Sequence, residues 1–202
     1  MESSNLYMTI RNRGKSIPYG SGNRPDGSTN HGYKRLKGNV DLAASIPEAQ
    51  EMDYLHDALV RLNDPNTAFF SVGCEKSVDV SERGTAVAGY LELAFNFAEL
   101  AADAQYYFKL FFQFSGLMAQ SPNESAKVRY VFELEPAHFH DGPVDGFTVT
   151  VWIATTFLPT REQAIQEWGR ALSALVSFLE GLSVKPDLTP IYAPGKQLAD
   201  LH

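Results

Sequence analysis

Between Tyr90 and Phe157 apolar side chains return at every second position, and that alternation restricts the chain to folds built around a sheet with one buried face. Leu91, Leu93, Phe95 and Phe97 alternate with Tyr90, Glu92, Ala94 and Asn96. Tyr106, Phe108, Leu110, Phe112 and Phe114 alternate in turn with Tyr107, Lys109, Phe111 and Gln113. Val128, Tyr130, Phe132 and Leu134 supply a third apolar face. Phe147, Val149, Val151, Ile153 and Phe157 supply a fourth, with threonines and Trp152 between them. With a strand near Ala68 to Val72, the pattern predicts an antiparallel β-meander of about five strands. Over residues 86–119 a helical stripe competes with the two-strand reading, because Leu93, Phe97, Leu100, Ala104, Phe108, Phe111, Ser115 and Met118 also share one helical face. The aromatic density of Tyr106 to Phe114 favours strands.

Helices flank this region. Ser45-Ile46-Pro47-Glu48 has the form of a capping box, and Met52, Leu55, Leu59 and Leu62 continue it as an amphipathic helix to about Asn63. Thr160 and Gln163 form a second capping box. Behind it Ile165, Trp168, Leu172, Leu175, Val176, Leu179 and Leu182 make a broad buried stripe, with Gly181 as the stop. The expected fold is therefore α+β, with the N-terminal helix and the long C-terminal helix on one face of the meander. Residues 45–183 form a single domain in this reading, between an extended arm over 1–44 and an extended tail over 184–202. The opposite sheet face would carry Tyr90, Tyr107, Phe111, Val131 and Trp152 among polar residues. So much apolar surface needs a cover: a second copy, the chain's own arm, or a small ligand.

The arm differs from the body in charge. Residues 1–38 hold seven basic side chains against Glu2 and Asp26, a net of +5, in a chain whose formal charge is -7. The remainder carries -12. Opposite signs on one chain invite contact between arm and body, and the candidate contact residues are Arg11, Arg13, Lys15, Lys34, Arg35 and Lys37. The same cations, with Tyr7, Tyr19 and Tyr33 interleaved, would suit nucleic acid or an acidic protein surface.

Motifs of chemistry are sparse. Cys74 is the only cysteine, so neither an internal disulfide nor a cysteine-rich zinc framework is possible. No nucleophile elbow, phosphate-binding loop, dinucleotide fingerprint or His-Glu-x-x-His is present, and no cofactor is implied. Glu133 and Glu135 share one strand face and are expected to be solvated acids. His138 and His140, two apart and followed by Asp141, can begin a metal site. The surrounding Asp141-Gly142-Pro143 and Asp145-Gly146 chemistry instead predicts a wide hairpin.

Without a signal-peptide pattern at its start, and with no segment of eighteen uninterrupted apolar residues, the chain is expected to be intracellular and soluble, with no membrane insertion. The economical expectation is a non-enzymatic, homo-oligomeric interaction protein, of scaffold, coat or adaptor type, that associates through its sheet face and basic arm. Two alternatives stand beside it. The order of strands followed by a long terminal helix is similar to the general architecture of helix-grip domains, which would imply an apolar cavity beneath residues 160–182 for a small molecule or an enzymatic substrate. The other alternative is a metal-binding protein using His138 and His140.

Overall fold

The computed structural model describes residues 5–23, 27, 29–120, 127–183 and 187–192. Of the tail expected over 184–202, residues 187–192 are thus described, and residues 184–186 and 193–202 lie outside. The fold is mixed α+β with one large sheet and a long C-terminal helix. Among the described residues no helix is long and apolar enough to cross a membrane.

The first segments are short strands: β1 (Leu6–Ile10), β2 (Lys15–Ile17), β3 (Gly22–Asn23) and β4 (Thr29–Asn30). A 3-10 turn over Val40–Ser45 leads into α1 (Pro47–Gln50) and α2 (Asp53–Leu62). Then come β5 (Phe69–Ser81), β6 (Gly84–Phe95), α3 (Ala98–Ala101), α4 (Ala104–Ala119), β7 (Val128–Phe139), β8 (Val144–Thr155) and α5 (Arg161–Glu180). The large sheet has the order β1-β7-β8-β6-β5, and β2 continues along β7 where β1 leaves it. β3 and β4 form a separate small ribbon.

Three expectations are corrected. The sheet is not purely antiparallel: β1 and β2 both run parallel to β7, with Leu6 opposite Tyr130 and Ile17 opposite Phe139. Within the basic N-terminal segment, Leu6–Ile10 and Lys15–Ile17 thus form the edge of the sheet. Five alternating residues make too short a pattern to announce a parallel partner more than a hundred residues away.

Residues 106–114 are helix, not strand. Tyr107, Leu110, Phe114 and Met118 are buried at helical spacing, with the Phe114 ring 5.1 Å from that of Tyr130. A strand would have left apolar side chains on both faces, since Tyr107 and Phe111 sit among the supposed outward positions. The Asp103 carboxylate starts the helix by accepting from the Gln105 amide at 2.8 Å. The region 86–119 is thus a strand followed by two helices. β6 and β7 are parallel with β8 between them, joined over one face by α4.

The single N-terminal helix is also divided. Ser45 Oγ donates to Leu42 O at 2.7 Å and accepts from Lys34 Nζ, so Ile46 takes the cap position and the expected box does not form. Thr160 does cap α5, accepting from the Gln163 amide at 3.2 Å, and Gly181 ends it.

The helices α2, α4 and α5 share one face of the sheet. Trp168 of α5 is fully buried and its indole donates to Ile153 O, while the Tyr130 hydroxyl donates to Ala171 O. Gly89 makes that approach possible, because a Cβ there would lie 2.9 Å from the Trp168 ring and 2.5 Å from Glu75 O. α2 crosses α5 at Gly169, where the Tyr54 ring lies only 2.4 Å from the position a Cβ would take. Gly169→Ala should therefore displace Tyr54 and cost about 1–3 kcal/mol of stability. The expected sign is a lower denaturant midpoint at unchanged slope; an unchanged midpoint would mean that the α2–α5 crossing is slack.

Candidate functional site

The sheet face away from the helices is where the chain's charges meet. Register places Glu92 of β6 and Glu133 of β7 on either side of Thr150 of β8, with Glu135 opposite Thr148 two pairs further along. These carboxylates are shielded: the side chains of Glu92, Glu135 and Glu133 are 7%, 13% and 16% exposed. Three neighbouring carboxylates in such a setting repel one another and are poorly hydrated, so they need cations at short range.

The N-terminal segment supplies them. Lys15 Nζ reaches Glu92 Oε1 at 2.6 Å and Glu135 Oε2 at 2.7 Å. Arg11 Nη2 donates to Glu133 Oε1 at 2.8 Å, and the Trp152 indole donates to Glu133 Oε2 at 2.7 Å. Burial disfavours the Lys15 ammonium, but the charge of Glu92 and the hydrogen bonds to both carboxylates outweigh it, and its pKa is raised above the ordinary 10.5. The stabilisation from this group is therefore fully present below pH 10.5 and is lost only as pH rises through the raised value.

Beyond Lys15 the segment turns over the sheet. Tyr19 donates to Val72 O at 3.0 Å and packs edge-on against Tyr33, with ring centroids 6.2 Å apart. Ile17 and Tyr192 are buried with Phe70 and Phe139, and the Arg35 guanidinium stands over the Tyr192 ring. Tyr192 is held by Asn96, which accepts from its amide and donates to its carbonyl. Both ends of the described chain thus close the same end of the outer face.

A cleft of about 310 Å³ lies between this cover and the sheet, bordered by Lys15, Tyr19, His31, Cys74, Tyr90 and Glu92. Its chemistry is quiet. Burial, with Glu48 and Glu75 nearby, pushes the Cys74 thiol up to about 12, so it is not a thiolate at neutral pH. Lys15 is held between two carboxylates. On the helix side, Trp168, Leu172, Leu175 and Val176 of α5 are fully or almost fully buried, and a cavity of about 340 Å³ lies between α4 and the end of α5, lined by Phe95, Leu100, Tyr106, Leu110, Leu182 and Leu188.

The candidate residues fall into distinct places. Tyr90, Trp152 and Val131 lie side by side on β6, β8 and β7, with the Tyr90 and Trp152 rings 4.7 Å apart. Tyr107 is on the inner side of α4, its hydroxyl donating to Phe147 O, and Phe111 is on the same helix against Phe132. Arg11 and Lys15 are on the acidic face as described. Arg13 is exposed between β1 and β2, and Lys34 donates to Ser45 O.

Lys37 is 3% exposed and points inward, donating to Asp64 O, Thr67 O and Thr67 Oγ1 beyond the end of α2. Burial pushes its pKa down to about 8 against the pull of Asp64. His138 pairs across the hairpin with Asp145 at 2.7 Å, its ring 4.6 Å from that of His140, and Asp141 lies in the connecting turn. Among the described residues no group of three or more His, Cys, Asp or Glu side chains is placed to hold a metal.

Sequence reasoning missed two features. Glu133 and Glu135, read as solvated acids, are shielded and paired, and Glu92 was not singled out. The signal available was the charge asymmetry itself. The second feature is the outer side of α4, where Phe112 is 68% exposed beside half-buried Phe108 and Phe111. Scans against protein-family models and searches of curated proteins and solved structures return no match to this chain.

The geometry ranks the two cations. Lys15→Met leaves Glu92 and Glu135 shielded without a counter-charge and should cost about 3 kcal/mol, whereas Arg11→Ala, at a side chain 51% exposed, should cost under about 1 kcal/mol. Denaturant unfolding near neutral pH measures both; equal costs would show that Lys15 has no special place.

Proposed function

We propose that this chain is a non-enzymatic interaction subunit that associates with copies of itself. The observation that carries the reading is α4. A helix of sixteen residues with Lys109 as its only charge presents Phe112 to solvent, and Leu117 and Tyr106 are also exposed, at 39% and 36%. A surface helix of a self-sufficient domain normally turns a charged stripe outward. Phe112 instead has the exposure of a residue awaiting a partner.

The state of the chemical groups supports the same reading. The shielded carboxylates of the outer face are held by Lys15, Arg11 and Trp152, and Cys74 is a protonated thiol. Groups so engaged make poor acids, bases or nucleophiles. The cations that nucleic-acid binding would need are largely committed within the chain, with Lys15 on the sheet and Lys37 buried. Among the described residues, the apolar surface open to recognition includes α4 and the end of the outer face around Trp152 and Val131.

Sedimentation velocity of the full chain over a wide concentration range tests this. The expected result is a mass above the 22.3 kDa of one chain that rises with concentration. A single monomeric species throughout would overturn the proposal.

A further inference from the structure

The pattern along α4 says more than that a partner exists. Resting on the self-association reading above, we infer that the surface is occupied by the same helix of a second copy, packed antiparallel about a two-fold axis passing between positions 113 and 114.

Tyr107, Leu110, Phe114 and Met118 define the inward side of α4. On the flank beside them, at steps of four, three and four, stand half-buried Phe108 and Ser115 and exposed Phe112 and Ala119, the spacing of a helix–helix seam. The large members occupy the first half and the small members the second. Gly116 adds to the small half. A Cβ built there meets nothing within 4 Å among the described residues, so no contact among them calls for a glycine, which in a helix interior costs about 0.5–1 kcal/mol relative to alanine.

An antiparallel two-fold pairs large with small at both levels of the seam: Phe108 against Ala119 and Phe112 against Ser115 of the other copy. A parallel pair would set Phe112 against itself and leave the small residues facing a void, which close packing penalises. The arrangement is isologous, so one helix carries both halves of the contact.

Charge points to the same occupant. Two chains of formal charge -7 repel each other except where acids are absent, and α4 has none among its sixteen residues. The antiparallel arrangement also sets the two Lys109 side chains roughly 13 Å apart along the axis, beyond the Debye length of about 8 Å at physiological salt. The helix alone offers a face of roughly 250–300 Å², short of the ~800 Å² per partner of a standard interface. The dimer is thus of the weak, concentration-dependent class.

The test is a residue exchange read by sedimentation velocity. Phe112→Ser removes the projection and Ser115→Phe fills the recess, and each alone should weaken dimerisation by about tenfold or more. Phe112→Ser with Ser115→Phe in one chain restores large against small, and should recover affinity to within about threefold of the parent. Gly116→Leu supplies a variant whose fold is not in doubt: the monomer should gain thermal stability while the dimer weakens. A parent that stays monomeric overturns the self-association reading itself. A parent that dimerises with all variants unaffected leaves that reading standing and overturns the α4 seam. Weakening in both single variants without recovery in the double overturns the antiparallel register.

Discussion

Lys15 between Glu92 and Glu135 is the contact on which the rest of this molecule's arrangement depends. The sheet brings three carboxylates together on one face, at side-chain exposures of 16% or less, and among the described residues Lys15 is the cation paired with both Glu92 and Glu135. Lys15 can reach both only if β2 lies along β7. That requirement places β1 and β2 at the sheet edge, covers the long β7 strand that would otherwise offer unpaired backbone groups, and draws Ile17 and Tyr19 over the outer face. Ion pairing and strand pairing thus support each other, and the chain's opposed charges become an internal fastening.

The two faces of the sheet are finished by different means. The helix side is closed by apolar packing of α2, α4 and α5, with the few buried donors, Trp168 and Tyr130, aimed at backbone carbonyls. The outer side is closed by a polar and aromatic layer from both ends of the described chain. Its inner half is thus sealed, while Trp152 and Val131 remain partly open. α4 stands between these solutions: it completes the core with one side and offers phenylalanine to the outside with the other.

What was legible in the sequence followed from strong, local periodicity. α5 was clear because its cap and its stripe agree, and β7 and β8 were clear because Tyr130, Phe132, Val149 and Val151 alternate over long runs bounded by turn residues. α4 was misread because Tyr106 to Phe114 is apolar at nearly every position, and such a run fits either period; Asp103 as a cap was the deciding local signal. Ser45 could not be seen as a side chain used by Lys34 and Leu42, since that depends on where the N-terminal segment folds back. The charge asymmetry was plain in the sequence. Its geometry was not, because Arg11 and Glu133 are separated by 122 positions and nothing local joins them.

Hydrogen exchange of the backbone amides in Leu6–Ile10 and Lys15–Ile17 tests the central claim most directly. If the cationic segment is fastened into the sheet, those strand amides that donate to β7 should be protected to a degree comparable with β7 itself, near neutral pH and at moderate salt. Exchange at the rate of an unstructured peptide, with β7 and β8 still protected, would contradict the account and return this segment to the status of a loose arm.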